Sequence, residues 1–345
     1  TITAHGGVSL SREDRWGMIS LRSAAGSSID FDLLDSTALV ADSGLTGSGV
    51  ISRFTEGLYS NFALSLFTGE NGTGRIVVTP AVRYDASQTI QAETDERNDQ
   101  GDWSWGAGAA VRLDEAGNWL LKGNAGSSYR MPGFNDLFWP ATSFAAGNPG
   151  LLPEEALFWD AGISLQPIPY LKLQGAWFSQ RIENLIQWNP GPAGQWTPEN
   201  IGMADIRGLE CEASVMVPLF GGTVFGEIDG NYTYLRAVDM TEGSATYGKQ
   251  LTRRPFERAN CALSLSHQDG HSLQVSGQYV GYRYTTAMNT KTIPAYFVMN
   301  AAVTVVIREW EFSLSCVNLL DTPYINLEEY PVPGREIQIE GRLKL

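Results

Sequence analysis

The clearest structural signal in the chain lies in Glu336-Ile337-Gln338-Ile339-Glu340-Gly341-Arg342-Leu343-Lys344-Leu345, where polar and apolar positions alternate. Successive side chains of a β-strand point to opposite faces of the sheet. The isoleucines and leucines therefore share one face with Gly341, and the charged residues and Gln338 share the other. The pattern predicts a strand that is apolar on one side and hydrophilic on the other.

The same alternation recurs upstream, whereas helical spacing is scarce. Good examples are residues 103–113, 157–166, 224–234 and 297–307. We predict roughly sixteen strands of about ten residues each, with a less defined count before Leu58, where the alternation weakens. The chain is therefore expected to be all-β.

Two kinds of connection take turns between these strands. The short ones are 68–74, 114–118, 166–169, 218–222, 267–271 and 308–309. The long ones, polar and aromatic, are 86–102, 131–155, 187–200, 237–255, 284–294 and 319–334. A soluble sandwich also has alternating strands. The regular exchange of short and long connections instead favours an outer-membrane barrel, with short periplasmic turns and longer outer loops.

Aromatic residues near the strand ends point the same way, because such residues form girdles at the two membrane interfaces. They are Trp103, Trp119, Trp159, Tyr170, Tyr232, Tyr234 and Tyr279. Lipid cannot satisfy open backbone edges, so a spanning sheet must close. We predict an antiparallel transmembrane β-barrel formed by a single domain, residues 1–345, with outer-membrane lipids around it.

Composition narrows the classes of function. The 345 residues include 43% hydrophobic and 18% charged residues, which is too apolar for wholesale disorder. The formal net charge of -14 argues against a nucleic-acid partner. No apolar run approaches the roughly 18 residues of a membrane helix. The first residues lack the pattern of a signal peptide, which we expect to be absent or already removed.

Few residues suit catalysis or metal binding. The cysteines, Cys211, Cys261 and Cys316, all fall on apolar strand faces, which favours small surface residues over a disulfide or metal site. The histidines are His5, His267 and His271, and the last two flank a predicted periplasmic turn. We therefore expect no enzyme activity, no cofactor and no metal centre.

One outer loop is acidic and leaves two interpretations open. Clustered carboxylates suit Ca²⁺, although these lack the spacing of an EF-hand loop, and a solvated loop is the simpler interpretation. The residues concerned are Glu93, Asp95, Glu96, Asp99 and Asp102.

Three motifs in the last two thirds of the chain stand out. The first is Ser128-Tyr129-Arg130-Met131-Pro132-Gly133-Phe134-Asn135-Asp136-Leu137-Phe138 with Gly147-Asn148-Pro149-Gly150-Leu151-Leu152-Pro153-Glu154-Glu155. The second joins Asn200-Ile201-Gly202 to Ile206-Arg207-Gly208-Leu209-Glu210. The third joins Val317-Asn318-Leu319-Leu320-Asp321-Thr322-Pro323-Tyr324 to Pro333-Gly334-Arg335-Glu336. Together and in this order they resemble the TonB-dependent outer-membrane receptors, which transport vitamin B12 and ferric siderophores, with a lean toward vitamin B12 receptor-like members.

The resemblance implies a barrel of 22 strands around a plug domain. It implies that this chain is the C-terminal part of that barrel, without the plug and its TonB-binding segment. The expected function is active outer-membrane transport of a large scarce nutrient, vitamin B12 first and a ferric siderophore or haem second, driven by the TonB complex through the plug. A passive porin or structural barrel is the alternative of another class. Outer-membrane proteins usually end in an aromatic residue, whereas this chain ends at Leu345.

Two sets of site residues follow. Aromatic residues in the long loops are candidates to bind the ligand, or to anchor and pack the loops themselves: Phe138, Trp139, Trp188, Trp196, Tyr247, Tyr284 and Tyr330. The motif residues are expected to define strand ends and barrel closure rather than to touch ligand: Arg130, Pro132, Asn148, Pro149, Pro153, Glu154, Gly208, Glu210, Asn318, Gly334 and Arg335. Alternation places Gly208 and Glu210 on the inner face and leaves Arg207 either at the outer interface or at a bulge.

Overall fold

The computed structural model describes residues 1–35, 49–68, 74–190, 194–327 and 330–343. Its first strands are β1 (Ile2–Trp16), β2 (Ile19–Asp35), β3 (Val50–Leu66), β4 (Ile76–Gln91), β5 (Arg97–Arg112), β6 (Trp119–Arg130), β7 (Glu154–Ile168), β8 (Leu171–Pro190) and β9 (Trp196–Leu219). The others are β10 (Val224–Asp239), β11 (Glu257–His267), β12 (Ser272–Val280), β13 (Arg283–Tyr284), β14 (Thr292–Ile293), β15 (Tyr296–Ile307), β16 (Trp310–Val317), β17 (Ile325–Leu327), β18 (Tyr330–Pro331) and β19 (Glu336–Leu343). A short helix, α1 (Phe134–Phe138), lies between β6 and β7.

Fifteen of these strands form one continuous sheet in which chain neighbours pair antiparallel. The hairpins β13–β14 and β17–β18 stand outside it and belong to long connections. Within the described residues β1 and β19 are the two edges and do not pair with each other. The predicted all-β antiparallel fold is confirmed, with a sheet of fifteen strands where about sixteen were expected.

The two faces of the sheet differ as the alternation predicted. Large apolar side chains lie open on one face: Leu10 is 78% exposed, Leu58 63% and Ile339 82%. A soluble sandwich would bury such a face, because exposing this much apolar surface to water is costly. We call it the membrane face, and the opposite, polar face the inner face. Within the described ranges, no helix combines the length and the apolar content needed to cross a membrane.

Aromatic residues form two bands on the membrane face. Trp16, Trp119 and Trp310 lie at the short turns and are 59%, 44% and 47% exposed. Trp159 and Trp177 lie toward the long connections and are 47% and 45% exposed. Two such bands are the interfacial girdles of a membrane barrel.

Two predicted outer loops are wrong in extent. Residues 86–102 were expected to be a loop, but β4 continues to Gln91 and β5 begins at Arg97. The predicted loop 187–200 is likewise occupied by the end of β8 and the start of β9, with 191–193 outside the described residues. These strands continue beyond the apolar pattern. The part of a strand that projects past the membrane does not contact lipid, so it does not need alternating apolar residues, and the pattern ends before the strand does. The terminal Leu345 also lies outside the described residues.

Candidate functional site

The connection between β6 and β7, residues 131–153, lies at the end of the sheet with the long connections and is held by many side-chain hydrogen bonds. A bidentate ion pair closes its base: Arg130 Nε and Nη2 donate to Glu154 Oε2 and Oε1, both at 2.7 Å. Glu154 is only 9% exposed and also accepts the backbone N–H of Ile186 at 2.9 Å. The motif residues Arg130 and Glu154 therefore hold the two ends of the segment together and tie it to β8.

Arg53 fixes the next part of the segment from the inner face of β3. Its Nη2 donates to the carbonyl of Pro132, and its guanidinium lies 5.0 Å from the centre of the Phe134 ring. Asp136 then caps α1 by accepting the Gly133 N–H at 3.0 Å. Pro132, which fixes its own backbone φ, is buried at this entry to the helix.

A small apolar core lies beneath the segment. Leu137 and Ile51 are completely buried, Leu151 is 1% exposed and Phe138 is 4% exposed. Leu34, Phe134 and Ile186 pack against them. Phe138, a candidate ligand residue from the sequence, is therefore part of the packing that holds α1 against β3 and β8.

Asparagine side chains satisfy the irregular backbone that follows. Asn98 Nδ2 donates to the carbonyls of Pro149 and Leu151 at 2.8 and 2.9 Å. Asn148 Nδ2 donates to the Pro198 carbonyl at 3.1 Å, and its Oδ1 accepts the Gly150 N–H at 3.0 Å. Buried backbone groups without partners are costly, so these amides allow a loop to be packed like a core element.

The adjoining motif residues Asn200 and Pro153 complete the closure. Asn200 exchanges two hydrogen bonds with the backbone of Leu152, from Leu152 N–H to Oδ1 at 2.8 Å and from Nδ2 to the Leu152 carbonyl at 2.9 Å. Pro153 is buried beside them. The first two sequence motifs thus meet in space.

Several of the aromatic residues predicted to bind the ligand lie close together on the 131–153 segment and the adjoining ends of β8 and β9. The rings of Trp139 and Trp188 meet edge to face with centroids 6.2 Å apart, and Trp188 Nε1 donates to Asp136 Oδ1 at 2.9 Å. The Trp196 N–H donates to the Phe144 carbonyl at 2.7 Å. Trp139, Phe144 and Trp196 are 44%, 77% and 48% exposed. We call Trp139, Phe144, Trp188 and Trp196 the aromatic patch.

The other predicted aromatics lie elsewhere along the same end. Tyr284 packs with Phe256 and Tyr282, with ring centroids 6.3 and 5.9 Å away. Tyr247 is 52% exposed in the connection between β10 and β11. Tyr330 lies in β18, opposite Leu327. The structure therefore gathers Trp139, Trp188 and Trp196 but does not join Tyr247 or Tyr284 to them.

A buried arginine organises the neighbouring connections. Arg283 is 4% exposed, and its Nη2 donates to the carbonyls of Ile325 and Asn326 at 3.0 and 2.6 Å. Its guanidinium lies 5.8 Å from the Tyr296 ring centre. Burial lowers the pKa of Arg283, and the positive charge of Arg258 lowers it further. This residue joins the hairpins β13–β14 and β17–β18.

The C-terminal motif forms a compact turn. Asn318, 1% exposed and with a left-handed φ of 52°, exchanges side-chain hydrogen bonds with the backbone of Thr322 at 2.9 and 3.0 Å. Asp321 Oδ1 accepts the Arg335 N–H at 2.9 Å, beside Gly334. These motif residues fix the ends of the connection between β16 and β19.

The motif residues of β9 lie on the inner face. Gly208 is buried opposite Phe178 of β8, and Glu210 is exposed opposite Ala176. The pairing of β9 with β10 is continuous through Arg207, so no bulge occurs there. Arg207 therefore points to the membrane side, which decides between the two placements considered from the sequence.

The acidic residues of the turn between β4 and β5 are dispersed. Glu93 accepts the Val50 N–H at 2.9 Å, Asp95 pairs with Arg97 at 3.0 Å, and Asp99 and Asp102 lie within β5. Among the described residues, no group of three or more histidine, cysteine, aspartate or glutamate side chains is placed to hold a metal ion. The carboxylates of this turn are therefore engaged separately or spread along β5.

Sequence reasoning did not find Arg53, Asn98 or the contact between Trp188 and Asp136. Arg53 acts on a carbonyl 79 residues away, and Asn98 on carbonyls more than 50 residues away. No local pattern reports such contacts. The one available signal was polar residues continuing along β3 and β5 beyond their apolar stretches.

A family model and two sequence relatives match large parts of the chain. The family model described as "TonB dependent receptor-like, beta-barrel" matches residues 3–319. The vitamin B12 transporter BtuB of Photobacterium profundum is 31% identical over 258 residues, which are 71% of this chain and 39% of that protein. The vitamin B12 transporter BtuB of Vibrio vulnificus is 34% identical over 111 residues, 32% of this chain and 17% of that protein.

Solved structures show the same fold. The ferric-catecholate import receptor Fiu from K12 E. coli superposes with a TM-score of 0.74 at 19% identity, over 99% of this chain and 54% of that one. The ferric citrate transporter FecA has a TM-score of 0.74 at 16% identity, over 99% and 54%. The chain thus spans 39% of the first vitamin B12 transporter and about half of the solved receptors.

Proposed function

This chain belongs to the TonB-dependent receptor family, and on that premise we propose that it forms part of the barrel wall of a vitamin B12 transporter. Its family and its apolar outer face place it in the outer membrane of a Gram-negative-type bacterium. We propose further that residues 1–345 act as one barrel domain, and that transport is driven by the TonB complex through a plug outside this chain.

Vitamin B12 is preferred because of sequence relatives. The matched vitamin B12 transporters are 31% and 34% identical over 71% and 32% of the chain, whereas the superposed iron receptors are 19% and 16% identical over 99% of it. Identities of 19% and 16% indicate a shared fold but do not indicate a shared substrate. A ferric siderophore or haem is therefore the second candidate. The match to the receptor family over residues 3–319 argues against a passive porin.

The aromatic patch supports binding of a large ligand. Its exposed rings rest on a segment fixed by the Arg130–Glu154 pair and by the buried core around Leu137. Rigid aromatic surface binds with little loss of side-chain entropy, since each ring has only two torsions to fix. Trp139 and Trp196 are therefore the first residues that we assign to the ligand surface, followed by Trp188, Tyr247, Tyr284 and Tyr330. Phe138 supports them from below.

No catalytic role is proposed. His5 lies on the edge strand β1 and contacts Asp30 of β2. His267 and His271 lie at a short turn, at the opposite end of the strands from the aromatic patch. The matched proteins are transporters and receptors, in agreement with a role in uptake.

Calorimetry on the full-length receptor tests the substrate. Titration with cyanocobalamin should release or absorb heat with saturation at one equivalent, while a ferric catecholate should give none. Heat with the ferric chelate alone would reverse the order of the two candidates. Uptake of labelled cyanocobalamin by cells with and without TonB then tests the coupling, and equal uptake in both would contradict it.

A further inference from the structure

Two neighbouring strands, β9 and β10, carry a pair of arginines on the membrane face, just beyond the aromatic girdle. In the register of β8, β9 and β10, Trp177 lies across from Leu209, and Leu209 lies across from Tyr234. These three side chains are 45%, 37% and 38% exposed, so this row lies on the membrane face. It marks the interface on the side of the long connections.

The next row on the same face consists of Ser179, Arg207 and Arg236. It lies two residues further along each strand, about 6–7 Å beyond the girdle. Both arginines are exposed. Their guanidinium groups therefore reach the depth of the lipid headgroups, where an arginine can meet anions without entering the hydrocarbon.

The two arginines are neighbouring positive charges, and only one of them has a carboxylate partner. Arg207 and Arg236 are directly opposite each other, an arrangement of like charges that destabilises a pair of strands. Arg207 is engaged on one edge, where Nε and Nη2 each lie 2.8 Å from an oxygen of Asp205. Arg236 forms no ion pair or side-chain hydrogen bond with any residue in the described ranges.

The other arginine on this part of the membrane face is already paired. Arg181, one row further out, lies 3.1 Å from Glu183, and Glu183 lies across from Glu155 of β7. Glu257 of β11 lies across from Tyr234 on the same face, but it accepts the Tyr232 hydroxyl at 2.9 Å and forms no ion pair with Arg236 within the described residues. An anion approaching from the membrane meets Arg236 and the free edge of Arg207 first.

We propose that Arg207 and Arg236 bind the phosphate of a lipid headgroup in the leaflet on the side of the long connections. A phosphate between the two guanidiniums replaces their repulsion with charge-assisted hydrogen bonds, for which the planar guanidinium is suited. The acyl chains of the same lipid lie along the girdle and the apolar strands below it. The site is independent of the transported ligand, because it faces away from the inner side of the sheet.

Native mass spectrometry of the full-length receptor tests this site. The protein is released from detergent after exposure to lipid A, to phosphatidylglycerol or to zwitterionic phosphatidylcholine. The double variant Arg207→Gln/Arg236→Gln should retain at least about fivefold less lipid A and phosphatidylglycerol, with retained phosphatidylcholine unchanged. The variant Arg207→Lys/Arg236→Lys should recover part of the binding, since it restores charge without the planar fork.

Arg258→Gln is the matched control, because Arg258 is also exposed and lies on the neighbouring strand β11, but on the inner face opposite Thr233. It should leave lipid retention unchanged. Retention of anionic lipid by the double variant at the level of the native protein would overturn the proposal. An equal loss in Arg258→Gln would also overturn it, because the effect would then follow net charge. Heat-dependent gel mobility verifies that each variant is folded.

Discussion

At Gly208 two strands and a ring approach too closely for any side chain. A Cβ atom there would lie 2.4 Å from the Phe178 ring and 2.4 Å from the backbone oxygen of Tyr234. The ring could turn away, but the backbone oxygen belongs to the adjacent strand. The glycine lets Phe178 cover the inner face of β9 and keeps β9 and β10 in register.

We expect Gly208→Ala to destabilise the folded barrel by about 1–3 kcal/mol, as overpacking of a tight contact does. Unfolding of the protein in lipid vesicles by guanidinium measures the change. Gly175→Ala is the control, because a Cβ there would have no heavy atom nearer than 3.9 Å. Similar losses in both variants would show that strand glycines matter generally and that the contact at Gly208 has no special role.

Alternation alone predicted the side on which single residues lie, but not what they touch. It placed Gly208 and Glu210 on the inner face and Arg207 with the apolar residues, and the continuous register of β9 agrees with this. It was silent on Phe178 covering Gly208 and on Arg236 opposing Arg207. Those contacts depend on which residue of the next strand is in register, and a single strand does not contain that information.

Among the elements, the 131–153 segment is held in place by the side chain of Glu154. Glu154 receives both arms of Arg130 and the Ile186 N–H, so it joins β6, β7 and β8 at one point. Glu154→Gln removes the charge and turns one acceptor into a donor. The segment should then open more often, at a cost of about 1–3 kcal/mol.

Hydrogen exchange followed by mass spectrometry measures that opening. Amides of residues 133–152 should exchange roughly tenfold faster or more in Glu154→Gln, since about 1.4 kcal/mol corresponds to tenfold. Glu183→Gln is the control, because Glu183 is 54% exposed and its pair with Arg181 is a surface pair worth little. Unchanged exchange in Glu154→Gln would contradict the role of the ion pair.

The elements themselves were only partly predictable. The short turns were well placed, since the apolar pattern stops close to them on both sides, as at Arg308–Glu309 between β15 and β16. The outer ends were not, because β4 and β5 continue as polar strands to Gln91 and from Arg97. Asn98 is buried there under the 131–153 segment. Because this buried position is occupied by a polar residue, the apolar alternation that predicts a strand is missing.

For the whole molecule, the proposed ligand surface is testable by comparing aromatic residues on different sides. Trp196→Ala and Tyr247→Ala should each weaken cyanocobalamin binding by about 1–2 kcal/mol, a factor of 5–30 in Kd. Trp105→Ala should leave Kd unchanged, because Trp105 lies across from Val82 on the membrane face and is 45% exposed there. Calorimetry of the full-length receptor provides all three values. Equal effects at all three positions would refute the placement of the ligand among the long connections.

The division between membrane face and inner face is a property of the whole sheet, and one strand offers a direct test. Val303 of β15 lies between Leu273 and Leu314 on the membrane face, whereas Ala302 lies between Gln274 and Ser315 on the inner face. An arginine near the middle of the lipid-facing band costs about 2–4 kcal/mol, while inner positions tolerate charge. Val303→Arg should therefore lower the stability of the barrel in lipid vesicles by about that amount, and Ala302→Arg by much less. If both substitutions cost the same, or if the order is reversed, the apolar face is not the one in contact with lipid.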